Sequence, residues 1–479
     1  MDKLPPEVLG HIARECNFTS LKQLRLVNKQ ISAVTTPIIF EHFYMGYFID
    51  KGLESFCEFA KSPLAKHVKA FTFCADLLPN YTWGSWHRHA VGCEFDYEPV
   101  RQYPEDKLNT AWNEFQKLHA EQTSWTEDRE GFKFKRHFDM LPNIIEAHIS
   151  RADMILVSPS DWKKHDLSLS REEQDQLHLA EGQPALCLLE AIGYLARSDG
   201  RKQITTLTMY KKHLRSYMDL LGTTVGQGGN GRTEPSSPAH HLRYRDILEA
   251  FKPLETIKLF HRRASGCGVT ALEELGHLLC QAKSLQRLEI QFVQSNIRFM
   301  DEWTIDDVFS LSPLLGSNES QDQASADLKN TSILSAHWPE LHHLHLSTNV
   351  NCPGFLSFLR RHSATLRSLE LRDMIVGDVA ALLREIPKVL GLDHVKVSSL
   401  WGPNPDFVPD VNCQAYHVYL FSDLNGLYEK TVKEYLLRQR GEFPELVIEG
   451  GNGKGFVDSD YEIAMDAIED EDYSEEDDE

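Results

Sequence analysis

Histidine supplies the first chemistry to weigh. Residues 337–346 read HWPELHHLHL, and His343 and His345 would lie on one face of a strand, close enough to give a metal two nitrogen ligands. A structural zinc site takes four ligands, and no third stands nearby, so the run reads as surface histidines on a strand. Two glycine-rich runs invite a phosphate-loop reading. Gly226-Gln227-Gly228-Gly229-Asn230-Gly231 has the glycines, but no clean strand precedes it and no helix opens after it. Gly450 to Gly455 reads GGNGKG, yet Ile448 stands where a P-loop needs its first glycine, and Gly455 replaces the Ser or Thr that would meet Mg²⁺. The chain has no G-x-S-x-G and no H-E-x-x-H. Its nine cysteines are scattered without any C-x-x-C, which points to neither a zinc site nor a disulfide framework. No catalytic residue and no cofactor is expected from these patterns. A nucleophile assembled from distant residues would leave no local trace.

Charge narrows the partners. The formal net charge of the 479-residue chain is −21. Residues 458–479 hold thirteen Asp or Glu and no Lys or Arg, which leaves −21 + 13 = −8 for the rest. A mildly acidic body argues against binding a phosphate backbone. The acidic end reads as a disordered tail, in which Ser474 precedes Glu475, Glu476 and Asp477 as in an acidophilic-kinase site. No run is apolar for long enough to span a membrane, and the N-terminus has no basic-plus-apolar leader. The expected setting is reducing, cytoplasmic or nuclear.

Two kinds of element must carry whatever surface acts. The first forty residues are helical in pattern. Pro5 and Pro6 suit a first helical turn, Glu7 follows where a negative charge is favoured, and Val8, Leu9, Ile12, Ala13 and Cys16 make one apolar face. A second helix is expected to begin after Ser20, with Ser20 and Gln23 at capping-box spacing. Leu21, Leu24, Val27 and Ile31 lie along it, and Pro37 ends it. About forty residues cannot bury enough apolar surface to stand securely alone, so the leftover apolar side must meet either a partner or the rest of the chain.

The second kind of element repeats. Short segments of the form L-x-x-L-x-L begin at Val68, Ile144, Ile204, Leu254, Leu285, Leu341, Leu366 and Leu392. Helical patterns stand between several of them, at 105–122, 270–283, 354–362 and 378–386. Alternation sends the leucines inward and the intervening residues to the other face. That other face would carry Tyr210, Lys258, Arg287, Glu289, His343, His345, Glu370, Arg372 and Lys396, a mixed-charge surface suited to a large partner.

The order Leu4-Pro5-Pro6-Glu7-Val8-Leu9, then LKQLRLVN over 21–28, then Thr36-Pro37-Ile38-Ile39-Phe40 resembles an F-box. The strand–helix alternation resembles a leucine-rich-repeat solenoid, although it would also suit a general α/β domain with leucine-rich strands. FLRRHSATLRSLELRDM, residues 358–374, resembles segments of fungal F-box proteins. The resemblance implies an α/β (α+β) chain: a three-helix F-box over 1–45, then an irregular leucine-rich-repeat-like solenoid over 46–450 with insertions at 76–140, 222–240 and 312–332, then the acidic tail over 451–479. It further implies a non-catalytic substrate receptor of a ubiquitin ligase. Leu4, Pro5, Pro6, Glu7, Val8, Ile12, Leu24 and Val27 would meet a Skp adaptor and, through it, a cullin. The concave face would hold an unspecified protein target. A scaffold working outside ubiquitylation and an enzyme with an unrecognised site are the alternatives.

Overall fold

The computed structural model describes residues 4–45, 50–74, 82–84, 105–127, 131–150, 185–198, 203–211, 238–261, 275–292, 337–347, 350, 352–376, 379–403, 416–419 and 427–443. The chain divides into two compact units, Met1–Ser295 with Glu319–Leu341, and Asn296–Asn318 with His342–Glu479. The expected stretches at 222–237, 312–332 and 451–479 lie outside the described residues, as do Gly226–Gly231, Gly450–Gly455 and Ser474.

The first unit opens with three helices, α1 (Pro6–Glu15), α2 (Phe18–Leu24) and α3 (Lys29–Ile39). Pro5 and Pro6 start α1 as expected, with Glu7 in its first turn. The second expected helix is instead two. Asn17, not a Ser20–Gln23 box, caps α2: its side chain accepts the Ser20 N–H at 2.9 Å. Asn28 caps α3 in the same way, accepting from Ile31 N–H at 2.8 Å. Asparagine is among the best N-cap residues because its side chain satisfies a donor the first turn leaves open. Pro37 does not stop α3, which runs on to Ile39.

Six parallel strands follow in chain order: β1 (His42–Met45), β2 (Ala70–Cys74), β3 (Glu146–Ser150), β4 (Thr206–Lys211), β5 (Thr256–His261) and β6 (Arg287–Phe292). Each pairs with the next. Parallel neighbours need a crossover, and helices supply them. These are α4 (Asp50–Lys61) before β2, α5 (Glu105–Glu127) and α6 (Gly131–Phe138) before β3, a run over 185–196 before β4, α7 (Pro238–Phe251) before β5, and a run over 275–279 before β6. Leu275, Leu278 and Leu279 of the last run are buried as the pattern at 270–283 predicts; Leu272 lies outside the described residues.

Register puts the apolar side chains in two continuous rows. One is Phe43, Phe71, Ala147, Leu207, Ile257 and Leu288; the other is Met45, Phe73, Ile149, Met209, Leu259 and Ile290. From β2 onward every member is at most 5% exposed. Fully burying one such aliphatic or aromatic side chain contributes roughly 1.5–3 kcal/mol. The leading position of each motif is buried too: Val68, Ile144, Ile204, Leu254 and Leu285. Just before each of β2 to β6, two successive N–H groups donate to one carbonyl of the preceding strand's approach, as Ile145 and Glu146 do to Lys69 O, and Thr205 and Thr206 to Ile145 O. This fixes the register from one strand to the next. The region 76–140 is more than an insertion. Phe134 and Phe138 of α6 are fully buried and pack on Phe71, with ring centroids 6.1 and 5.2 Å away.

The second unit has β7 (His343–Ser347), β8 (Ser368–Ile375) and β9 (His394–Pro403) in parallel, with β10 (Tyr416–Tyr419) antiparallel to β9. Helix α8 (Cys352–Arg361) joins β7 to β8, and α9 (Val379–Val389) joins β8 to β9. The rows Leu344, Leu369, Val395 and Leu346, Leu371, Val397 form its core. Helix α10 (Leu427–Leu436) ends at Arg438, whose φ of 58° is left-handed. The Arg438 side chain donates to Pro387 O at 2.7 Å and Leu390 O at 3.1 Å, placing a cation on the carbonyl end of α9.

Candidate functional site

Two surfaces answer the sequence expectations. The first lies on the three-helix module. Its small core is Ala13, Leu21 and Ile39, with Cys16, Ile38 and Phe40 packed against it. Phe40 and Phe43 turn toward the body, meeting Phe59 of α4 with centroids 6.0 and 4.5 Å away. A groove of about 380 Å³, sharing Ala13 and Cys16 with that core, is lined by Leu9, Ile12, Ala13, Cys16, Leu24, Val27, Ile31 and Val34, with Ser20, Gln23 and Thr35 as its polar members. Val8, Ile12, Phe18, Leu26 and Val27 are five of the nine large hydrophobic side chains exposed among the described residues, and Leu26 and Val27 are 85% and 61% exposed. Pro5, Pro6 and Glu7 are exposed beside them, while Leu4 and Leu24 are half-buried. Ile12, Leu24 and Val27 of the predicted set therefore meet at one groove, and Leu4 and Pro5 lead into the helix whose first turn holds Pro6, Glu7 and Val8 and whose Leu9 and Ile12 wall it. Cationic side chains hold aromatic rings here: Lys22 Nζ lies 4.4 Å from the Phe18 centroid and the Arg25 guanidinium 5.1 Å from that of Phe40.

The second surface is the polar face of the sheet. In the first unit the register aligns Glu146, Thr206, Thr256 and Arg287 in one row, and Tyr44, Thr72, His148, Thr208, Lys258 and Glu289 in the next. His42 Nε2 sits 2.5 Å from Thr72 Oγ1, and its ring stacks on Tyr44 at 4.2 Å. Glu146 reaches His148 Nε2 at 3.4 Å. Burial lowers the pKa of both His42 and His148, reinforced at His42 by the facing His148 and opposed at His148 by Glu146. Glu289 is buried between two cations, with Arg287 Nε at 2.5 Å and Lys258 Nζ at 3.2 Å. Burial alone would raise its pKa, but the Arg287 hydrogen bond and the two positive charges outweigh burial and hold it below the ordinary value. Tyr210 occupies a position on β4 opposite Phe260.

In the second unit the rows are His343, Ser368, His394 and His345, Glu370, Lys396. Glu370 accepts from Arg372 at 2.8 Å, and the imidazoles of His394 and His345 stand 3.7 and 4.0 Å from its oxygens. Here too burial pushes the carboxyl up, but His345, Arg372 and His343 bring it below the usual range. The expectation of surface histidines is corrected. His343 and His345 are only 7% and 6% exposed, and His343 Nδ1 is 2.8 Å from Ser368 Oγ. Glu289 is buried as well. The open face expected from alternation is therefore reduced: on the first unit Lys258 and Arg287 stay at least partly exposed, and on the second, taken by itself, Arg372, His394 and Lys396 do. Sequence reasoning missed that difference because alternation tells which face a side chain takes, not how deeply it is buried there.

No group of three His, Cys, Asp or Glu side chains able to hold a metal occurs among the described residues, and none of their helices is long and apolar enough to cross a membrane. Elsewhere in the first unit a cluster of charges ties three helical segments together. Lys135 pairs with Glu190 at 2.5 Å, and Arg197 with Asp246 at 2.5 Å. No protein-family model matches the chain, and neither does any curated protein.

Proposed function

We propose that this chain is an F-box substrate receptor: the helical module docks on a Skp adaptor, the adaptor joins it to a cullin, and the sheet domain presents a protein target for ubiquitylation. The observation that carries the proposal is the apolar groove between α1, α2 and α3, walled by the exposed Ile12 and Val27, with Val8 exposed one residue before Leu9 of its wall. The ordered LPPEVL, LRLVN and TPIIF segments fall on that module. The reading of the body as a leucine-rich-repeat-like solenoid is supported by the eight motif copies, each of which coincides with a strand, β2 to β9, with all three apolar positions buried. Catalysis would then be proximity. Holding a target beside a loaded ubiquitin-transfer enzyme makes their encounter intramolecular and raises effective concentration, with no reactive side chain contributed by this chain.

The test is co-purification with a Skp adaptor, using the intact chain and a Val8→Glu, Val27→Glu variant. Both side chains are exposed, so the change spares the fold. Each valine buried at an interface is worth roughly 1.5 kcal/mol or more, and a pair therefore about a hundredfold in affinity. Adaptor bound by the intact chain and lost by the variant supports the proposal. A folded intact chain that retains no adaptor overturns it.

A further inference from the structure

Part of the polar face in the second unit departs from the charge of the rest. The chain is strongly acidic, yet the polar face of β8 and β9 carries the half-buried Arg372 and Lys396 and the exposed His394 around one carboxylate, Glu370. That carboxylate does not cancel the strip. It is 16% exposed and lies beneath the cations, bonding Arg372 at 2.8 Å and standing 3.7 Å from His394. Glu370 thus fixes the direction of two donors whose outer sides stay open, with Arg372 35% and His394 52% exposed. A surface of this kind fits an acidic peptide.

The same chain carries such a segment. Residues 458–479 contain thirteen carboxylates and no Lys or Arg, interleaved with Tyr461, Ile463, Met465 and Ile468. The described chain leads toward it from α10, whose Arg438 is bonded to the carbonyl groups of Pro387 and Leu390. Those residues lie four to seven positions before His394, the first residue of β9. Fourteen residues, 444–457, separate Phe443 from the acidic segment, and fully extended they reach at most about 46–50 Å. The ten residues of β9 need only about 33 Å. Length therefore does not prevent the segment from reaching the strip.

We infer that the cationic strip of β8 and β9 is occupied by this chain's own acidic segment, residues 458–479, so that an external acidic target must displace it. The inference deepens the reading of this face as a target site. The contact itself needs no adaptor, so its test and the co-purification succeed or fail separately.

The experiment uses the full chain, dilute and monomeric, with a water-soluble carbodiimide that joins a carboxylate to an amine. Linked peptides are mapped by mass spectrometry. Lys396 on the strip should couple to carboxylates of 458–479 in several-fold higher yield than Lys388 of α9 or Lys430 of α10, both of which are well exposed. The preference should fall in 0.5 M salt, which screens charges beyond about 4 Å. It should also fall in an Arg372→Glu variant and in one with Glu469, Asp470, Glu471 and Asp472 changed to their amides. The second variant leaves every described residue untouched, so its loss of coupling does not arise from misfolding. Coupling at Lys396 no greater than at Lys388 and Lys430, or coupling that survives removal of those four charges, overturns the inference.

Discussion

Gly193 offers the sharpest test of the packing. It lies in the helical run 185–196 against α7, and a Cβ placed there would stand 1.7 Å from Asp246 O, 2.6 Å from Asp246 C and 3.2 Å from Ala250 N. The obstacle is backbone, so no side chain can swing away. Non-bonded carbon contacts are best near 3.5–4.0 Å, which means the two helices must separate by roughly 1.5 Å or more to admit the methyl group. The same movement pulls on the ion pairs Arg197–Asp246 and Lys135–Glu190, both 2.5 Å, and Glu190 is only 3% exposed at its side chain. Breaking a buried pair costs about 3–5 kcal/mol, so Gly193→Ala should destabilise the first unit by roughly that amount. The sign is what makes the test sharp, because Gly→Ala inside an uncrowded helix ordinarily stabilises by about 0.5–1 kcal/mol. At Gly391 and Gly441 an added Cβ would meet no heavy atom within 4 Å, and their alanine variants serve as controls expected to lie between neutral and about 1 kcal/mol more stable. Urea unfolding, with hydrogen exchange of 185–196 to localise the effect, measures all three. A Gly193→Ala chain within about 1 kcal/mol of wild type would refute the close approach of these helices.

Three further outcomes follow from the same geometry. Asn28→Ala should cost about 1 kcal/mol by removing the cap of α3, with exchange protection lost first at Ile31; unchanged protection there would contradict the cap. At Arg438, Ala keeps a left-handed residue without its bonds, whereas Gly relieves the backbone. Both variants should be less stable than wild type, with Gly above Ala by about 1 kcal/mol, and the reverse order would count against strain at that position. Stability should also depend on pH in a predictable direction. Glu289 has a lowered pKa in the folded chain, so its contribution is complete above the unfolded value near 4.5 and is lost as pH falls through the folded one. His42 and His148 are lowered from 6.5, so the unfolded chain takes up their protons first and stability also declines as pH drops below 6.5. Denaturant melts from pH 8 to 3 should show both slopes, with His148→Gln flattening the upper and Glu289→Gln the lower.

What could be read in the sequence was local and periodic. Eight strands announced themselves because alternation and a leading apolar residue both lie within six positions, and burial of those positions depends on little else. β1 carries the same signal in aromatic form, Phe40-x-x-Phe43-x-Met45, but it was hidden inside the expected exit of the helical module. The asparagine caps were missed: the Ser20–Gln23 spacing suggested a single helix through Ile31, whereas Asn17 and Asn28 start two. The Lys135, Glu190, Arg197 and Asp246 cluster was not legible, because its partners are about fifty residues apart and no short pattern joins them. Nor was the burial of His343 and His345, since alternation gives the face of a side chain and not how deeply its surroundings bury it.

The helical module could in principle be only a cap on the first strand, and its contacts decide how far that account goes. A cap buries apolar surface against what it covers. Phe40 and Phe43 do so through Phe59, and Ile39 is 8% exposed. Part of the groove wall stays outside that burial. Ile12 and Val27 of the groove wall remain at 40% and 61% exposure, and Val8, Phe18 and Leu26 are also exposed on the same module. Isolated apolar side chains at a surface need no explanation, but five within twenty residues, two of them in the wall of a groove, are of the kind that marks an interaction site. Capping therefore accounts for one face of the module and leaves the other without a role. A Val8→Glu, Val27→Glu chain separates the two accounts: if capping were the module's whole purpose, the charges would alter neither stability nor any association, whereas a docking groove requires association to fail while the melting of the body stays where it was.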